Sequence, residues 1–280
     1  MEVRNIQSPD NFKLTYYVSG EANEEAVVIF NAPGMSVKFW IPIISELSKK
    51  YKILCMEYRG FPDGTEQLTL EDLSFDKIVN DFHHIIEHEN VSSFHALSWC
   101  LGAKVKLSLY QKHPEKIISM HSLNMAFKRS DGIEKGPFSR MVQQLKKKLE
   151  TGESSISRII KIMSSIGTIP NTDFLSIIDM EEDNTTLNLY EFLENESSMS
   201  SLAFYLIDNK IGLMNYLNIY SGFSANDQVE TLRNIKIPVY VYIGEKDKMV
   251  TFKPEDTALF ESNDMIHPIV IEEGSHFMLI

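Results

Sequence analysis

The sequence has few cysteines and no long apolar run. Only two cysteines, Cys55 and Cys100, occur among its 280 residues. Two are too few for a disulfide framework, and neither belongs to a Cys-x-x-Cys pair that holds a metal or carries out redox chemistry. No stretch of about 18 apolar residues is present, so we expect no membrane-spanning helix. Residues 1–5 (MEVRN) start no apolar signal region, and we expect a cytoplasmic protein.

A clustered basic face is also missing. The formal net charge is −12 and the sequence pI is near 5.2, whereas nucleic acids and anionic membranes favour clustered positive charge. The one basic cluster, residues 146–148 (KKK), is expected to lie on a solvated helix face. We therefore expect a small-molecule partner and no nucleic acid. Nothing in the sequence indicates the oligomeric state.

Short apolar runs alternate with amphipathic helical patterns in the first 125 residues. We predict strands over residues 3–6, 12–18, 26–30, 52–56, 93–97, 117–123, 237–243 and 267–271. We predict helices over residues 39–49, 71–89, 101–112 and 254–261. Apolar strands separated by helices are typical of the α/β class, in which helices cover both faces of a mostly parallel central sheet. Ligands then bind beyond the carboxyl ends of the strands.

The strand patterns stop in the middle of the chain. Between residues 126 and 223 the sequence has charged helical segments rich in Met and Ser, and the strand patterns then return. A helical block between two core strands indicates an inserted lid over the ligand site. We predict a core formed by residues 1–125 and 224–280 and a helical lid formed by residues 126–223.

A sharp strand-to-helix turn is predicted at residues 98–103 (SWCLGA). The apex of such a turn has a strained backbone, and the residues two positions away must be small to avoid collisions. Ser98 and Gly102 are the small neighbours here, and Cys100 is the apex. The turn projects the Cys100 side chain clear of the sheet. The N–H of Leu101, at the helix start, points at any oxyanion formed there. This pattern predicts a nucleophilic cysteine.

Two alternatives at this turn stay open. Ser98 is a rival nucleophile, although no glycine flanks it. Alternatively, Cys100 is a small buried hydrophobic residue, as most free cysteines are. Cys55 fits that description well, because it lies inside a strand pattern.

Three segments together resemble the α/β-hydrolase superfamily. Residues 98–103 (SWCLGA) resemble its Gly-Trp-Ser-Leu-Gly-Gly elbow, and residues 112–116 (KHPEK) resemble its Arg-His-Pro-Glu helix end. Residues 57–61 (EYRGF) resemble its Asp-x-Arg-Gly-x-Gly stretch. The resemblance implies an α/β-hydrolase fold and makes Cys100 a replacement for the usual serine, either native or engineered. Ser98 stands where the family has its first glycine.

The same resemblance extends to an acid and a base. Residues 244–247 (GEKD) are similar to the family's Gly-x-x-Asp loop, which implies that Asp247 is the acid. Residues 274–277 (GSHF) are similar to its Gly-x-His-Phe loop, which implies that His276 is the base. Glu245 is the alternative acid, and His121 and His267 are alternative histidines. The family continues with a terminal helix, so we expect either a loosely held histidine loop or a truncated sequence.

The second oxyanion donor is expected in the loop after the strand at residues 26–30. Residues 31–36 (NAPGMS) stand where the family reads His-Gly-x-x-Gly, and the His-Gly pair is missing. Pro33 has no N–H to donate. Gly34 or Met35 is therefore the expected donor if this loop contributes one, and a plain Pro-Gly turn is the alternative.

These features predict an acyl hydrolase that cleaves a thioester or ester through an acyl-Cys100 intermediate. One alternative is an acyltransferase or condensing enzyme, which passes the acyl group to an acceptor other than water. A second alternative is a non-catalytic ligand-binding protein on the same scaffold. The expected substrate is a small acyl compound, free or attached to coenzyme A or an acyl-carrier protein. No cofactor and no metal are implied.

Overall fold

A computed structural model describes most of the predicted core. It describes residues 1–61, 66–128, 146–147, 151, 210–247, 250 and 252–276. Most of the predicted lid, residues 126–223, lies outside this part of the chain. The division into core and lid therefore stays a prediction.

Eight strands form one sheet. They are β1 (Glu2–Gln7), β2 (Lys13–Ser19), β3 (Ala26–Phe30), β4 (Lys52–Met56), β5 (Phe94–Trp99), β6 (Ile117–Leu123), β7 (Val239–Gly244) and β8 (Ile266–Ile271). Their order across the sheet is β1-β2-β4-β3-β5-β6-β7-β8. β2 pairs antiparallel with β1 and β4, and the other pairs are parallel. The predicted α/β class with a mostly parallel sheet is confirmed.

Helices of the described residues follow the strands. They are α1 (Ile41–Leu47), α2 (Phe75–His88), α3 (Gly102–Lys112), α4 (Lys210–Ala225), α5 (Val229–Arg233) and α6 (Pro254–Glu261), with 3₁₀ turns at Val37–Trp40 and Pro114–Lys116. α2 has the expected amphipathic pattern, since its apolar side chains at positions 78, 79, 82, 85 and 86 are buried. No helix in the described ranges is long and apolar enough to cross a bilayer.

Two predicted helices differ at their starts. The helix predicted over residues 39–49 begins as a 3₁₀ turn and becomes α1 only at Ile41. Pro42 lies in the first turn of α1, where its missing N–H removes no helical hydrogen bond. The helix predicted from residue 71 begins at Phe75. The preceding residues form a turn, in which the Thr69 hydroxyl accepts the Asp72 N–H at 3.1 Å.

The two faces of the sheet are covered differently in the described structure. The inner side chains of β5, at positions 94, 96 and 98, are fully buried on the side where α3 packs. The opposite face includes His95 and His121, and there a cavity of about 940 Å³ lies between α1 and strands β5 to β7. Cys100, Asp247 and His276 are not among the residues that line this cavity.

Helix α4 packs directly on the core. The Phe223 ring lies 5.0 Å from the Phe75 ring of α2 and 5.8 Å from Tyr58. At the end of α4, the buried Lys104 ammonium of α3 donates to the backbone oxygens of Phe223 at 2.6 Å, Asn226 at 2.8 Å and Lys128 at 2.7 Å. A cation at a helix C-terminus also matches the helix dipole. These bonds fix the end of α4 against α3.

Arg59 joins three parts of the fold. Its guanidinium binds Asp81 of α2 through two nitrogens and also binds Asp10 of the β1–β2 turn at 2.9 and 3.1 Å. The Arg59 side chain is 2% exposed, so this bidentate pairing compensates the burial of its charge. The pKa of Asp10 is lowered, chiefly by its hydrogen bonds from Arg59.

Candidate active site

Cys100 occupies a strained position between β5 and α3. Its backbone φ is +50°, a left-handed conformation that is unfavourable for a non-glycine residue. Three hydrogen bonds hold the apex. The Cys100 N–H donates to Leu123 O at 3.0 Å, and Cys100 O accepts the N–H groups of Ala103 and Ala126, each at 3.2 Å. Strain held in this way is found at functional sites.

The neighbours of Cys100 have to be small, as the sequence predicted. A Cβ atom on Gly102 would lie 2.1 Å from Phe30 O and 2.5 Å from Asn31 O. No real side chain tolerates such approaches, so position 102 requires glycine. Ser98 is fully buried, and its hydroxyl points toward His121 O at 3.5 Å. The Ser98 side chain is therefore buried within the sheet, whereas the Cys100 side chain is partly exposed.

Asp247 and His276 meet at the carboxyl ends of β7 and β8. Nδ1 of His276 lies 2.8 Å from Oδ2 of Asp247, and their side chains are 0% and 1% exposed. The other carboxylate oxygen of Asp247 accepts the Val250 N–H at 3.0 Å. Glu245, the alternative acid, instead accepts the N–H of Glu273 at 3.0 Å. Of the two acidic residues, Asp247 is therefore the one in contact with His276.

Burial and charge act in opposite directions on His276. Burial lowers its pKa, but the carboxylate of Asp247 and the charge of Cys100 outweigh this, so the pKa of His276 is raised. The charge of Cys100 is among the groups that raise this pKa, so its side chain lies near the imidazole. The structure thus brings together the three residues predicted as nucleophile, base and acid.

The alternative histidines lie elsewhere. His121 stacks on Tyr240 at 4.9 Å, and His267 packs against the other side of that ring at 5.1 Å. Burial, followed by the charges of Lys106 and His95, lowers the pKa of His121 to about 4. Both histidines belong to the sheet face with the cavity.

Two residues that sequence reasoning missed hold the histidine loop. The Trp99 indole N–H and the Asn124 amide each donate to the backbone oxygen of His276 at 2.9 Å. The Asn124 side chain also accepts the N–H of Gly244 at 2.8 Å. Asn124 directly follows β6, so its position at a strand end was a usable signal. No sequence signal identified the Trp99 contact.

The predicted oxyanion loop forms a tight turn. Met35 N–H donates to Ala32 O at 3.2 Å, and Gly34 has φ +77°, which suits the third position of a type II turn after Pro33. The Met35 N–H is therefore engaged within the turn. Leu101 lies at the N-cap of α3, where helix N–H groups lack intrahelical acceptors. Leu101 is thus better placed as a donor than Met35.

Tyr216 of α4 contacts this loop. A Cβ atom on Gly34 would lie only 2.7 Å from Cδ2 of Tyr216, so the ring edge packs against the glycine backbone. Sequence reasoning placed Tyr216 in the lid and assigned it no role. In the ranges that the structure describes, no cluster of three or more His, Cys, Asp or Glu side chains is arranged to hold a metal ion.

Comparison with known proteins agrees with this fold. A family described as "alpha/beta hydrolase fold" matches residues 25–151. An esterase from Exiguobacterium antarcticum superposes with a TM-score of 0.68 at 16% identity, covering 100% of this chain and 94% of the esterase. An enol-lactonase from Burkholderia xenovorans LB400 gives 0.65 at 14% identity, covering 99% and 94%. The protein has the α/β-hydrolase fold, as predicted.

A curated relative with a more particular description also matches. It is the "Putative carbamate hydrolase RutD" of Escherichia coli O9:H4 (strain HS), 24% identical over 103 residues. The match covers 37% of this chain and spans 38% of the length of that relative.

Proposed function

We propose that the protein is an acyl hydrolase that cleaves an ester or thioester through a covalent acyl-Cys100 intermediate. The observation that carries the proposal is the buried contact of His276 Nδ1 with Asp247 Oδ2 at 2.8 Å, near the strained turn at Cys100. A thiol nucleophile needs a base within hydrogen-bond reach, and the base needs a partner that orients it. The descriptions of its relatives as hydrolases support the same reaction class.

The first half of the reaction forms the acyl-enzyme. Nε2 of His276 takes the proton from Cys100 Sγ, and the sulfur attacks the carbonyl carbon of the substrate. The carbonyl electrons move to oxygen, and the N–H of Leu101 stabilises that oxyanion. When the tetrahedral intermediate collapses, the bond to the leaving alcohol or thiol breaks. His276 returns the proton to the leaving group.

The second half releases the acyl group. Nε2 of His276 accepts a proton from water, and the hydroxide equivalent attacks the thioester carbonyl of acyl-Cys100. The second tetrahedral intermediate expels Cys100 Sγ, which regains its proton from His276. The products are a carboxylic acid and the free enzyme. Asp247 keeps its charge throughout and stabilises the imidazolium that forms twice in the cycle.

Intact mass after exposure to p-nitrophenyl acetate tests the proposal. We expect the mass of one acetyl group on the native chain at early times and none on Cys100→Ala. Cys55→Ala is the matched control, because Cys55 is fully buried in β4 and should not affect acylation. If no ester and no thioester acylates the native chain, the enzyme interpretation fails and a ligand-binding protein on this scaffold becomes the better conclusion.

Two further measurements address the alternatives. If the acetyl adduct persists in water but is lost on adding an alcohol or amine, the protein is an acyltransferase and not a hydrolase. If Cys100→Ser hydrolyses the ester much faster than the native chain, serine is the working residue at this position and the cysteine is a replacement.

A further inference from the structure

Side-chain amides fix the rotation of α4 about its axis. Asn215 is fully buried, and its Oδ1 accepts the Leu68 N–H at 2.9 Å while its Nδ2 donates to Glu66 O at 3.0 Å. One turn further on, Asn218 donates to Leu68 O at 3.3 Å. The loop before α2 therefore holds one side of α4. The direction in which the next residue, Tyr216, leaves the helix is set by these bonds.

Tyr216 is thereby directed to the loop beside Cys100. β3 and β5 are adjacent parallel strands in which Phe30 pairs with Ser98, so the loops after them lie side by side. Gly102 in turn packs against the backbone of Phe30 and Asn31. The Tyr216 ring, only 4% exposed, contacts Gly34 within this arrangement. The phenol thus lies against the loop that neighbours Cys100.

The hydroxyl of Tyr216 is a neutral donor. Burial, followed by the charges of Tyr220 and Cys100, raises the pKa of Tyr216 well above its usual value. The O–H group therefore keeps its proton at neutral pH. Within the described residues, this hydroxyl has no hydrogen-bond partner, and it is not among the fully buried side-chain atoms that lack one. A donor of this kind is suited to an acceptor that arrives with the substrate.

We propose that the Tyr216 hydroxyl is the second oxyanion donor of the site, in addition to the Leu101 N–H. The inference rests on the function proposed above. The Met35 N–H donates to Ala32 O within the turn at residues 32–35, so it is not available to donate to an oxyanion. The phenol beside Gly34 donates to the carbonyl oxygen as it gains charge. No bond to Tyr216 forms or breaks, and its proton stays on the phenol.

Tyr216→Phe tests the proposal, with Tyr220→Phe as the matched control on the same helix. Tyr220 is also buried, at 5% exposed, one turn along α4. Two rates are measured for each protein: acylation of Cys100 by p-nitrophenyl acetate, and alkylation of Cys100 by iodoacetamide. Acylation develops an oxyanion and alkylation does not. Loss of one oxyanion donor slows the chemical step about 10²–10³-fold.

We expect Tyr216→Phe to slow acylation by about 10²-fold or more, with alkylation within about twofold of the native rate. Tyr220→Phe should change neither rate by more than a few-fold. Native acylation by a Tyr216→Phe variant would overturn the proposal. An equal loss of both rates would overturn it too, since Tyr216 would then act on the thiol or on packing.

A second measurement needs only the native chain. A thionoester, in which sulfur replaces the carbonyl oxygen, accepts hydrogen bonds poorly, so two donors should make it a much slower substrate than the ester. Equal acylation by both substrates would contradict the proposal even if Tyr216→Phe failed to fold. Absence of acylation by any ester in a native chain that iodoacetamide still alkylates would instead refute the proposed function.

Discussion

Glu57 offers a quantitative test of the electrostatics near the site. It follows β4, is 6% exposed, and lies near the Val37 N–H and the Tyr17 hydroxyl. Burial raises the pKa of Glu57 to about 7, and these two groups only partly oppose the rise. Val37 directly follows the predicted oxyanion loop at residues 31–36. The buried carboxyl is therefore a pH-sensitive group close to that loop.

The direction of the pH effect follows from proton binding. Between pH 4.5 and 7 the folded state holds a proton on Glu57 that the unfolded state releases. The free energy of unfolding therefore falls as pH rises through this range. With 1.36 kcal/mol for each pKa unit, a rise from 4.5 to about 7 corresponds to about 3 kcal/mol. Glu57→Gln keeps an acceptor oxygen but removes the titration.

Urea unfolding at a series of pH values measures this effect. The free energy of unfolding of Glu57→Gln minus that of the native chain should rise by about 3 kcal/mol from pH 4.5 to pH 8. Any fixed cost of burying the amide shifts this difference equally at every pH. Glu24→Gln, at an exposed position, is the matched control. A flat difference for Glu57→Gln would refute the assignment of a buried carboxyl that is protonated below neutral pH.

Three further substitutions test other parts of the structure. Asp247→Asn should slow ester turnover about 10³–10⁴-fold, because the amide no longer stabilises the charged His276. Turnover within tenfold of the native rate would contradict the proposed role of Asp247. Gly102→Ala should lower the free energy of unfolding by about 2 kcal/mol or more in urea titrations, since its Cβ would lie 2.1 Å from Phe30 O. Lys104→Met should lower it by about 2–4 kcal/mol, because three carbonyl oxygens lose their donor; an unchanged value would refute that anchoring role.

The strands and the sharp turn at Cys100 were predictable because their signals are local. A run such as AVVIF at β3 is apolar at every position, and all five of its residues are buried. The small residues around Cys100 are likewise dictated by the turn itself, as the contact of Gly102 with Phe30 O shows. The meeting of Asp247 with His276 was expected from the resemblance and from the position of both residues after strands.

What the sequence could not show depends on contacts between distant segments. Tyr216 reaches Gly34 only because Asn215 fixes α4 against residues 66 and 68, and nothing in the local pattern of α4 indicates that pairing. The start of α2 was also missed, because the side chain of Thr69 closes a turn where apolar spacing alone predicts helix. Hydrogen bonds from polar side chains decided both cases, and hydrophobic periodicity contains no information about them.

The hydrogen bonds to the backbone of His276 also determine how a change at Asp247 should be interpreted. Trp99 and Asn124 bind the His276 carbonyl oxygen, and Lys246 N–H binds Gly274 O at 2.8 Å. These bonds locate the loop without any contribution from the Asp247 carboxylate. Asp247→Asn should therefore change the protonation and orientation of the imidazole while leaving its backbone in place. A large loss of turnover with an unchanged melting temperature would then report on chemistry and not on folding.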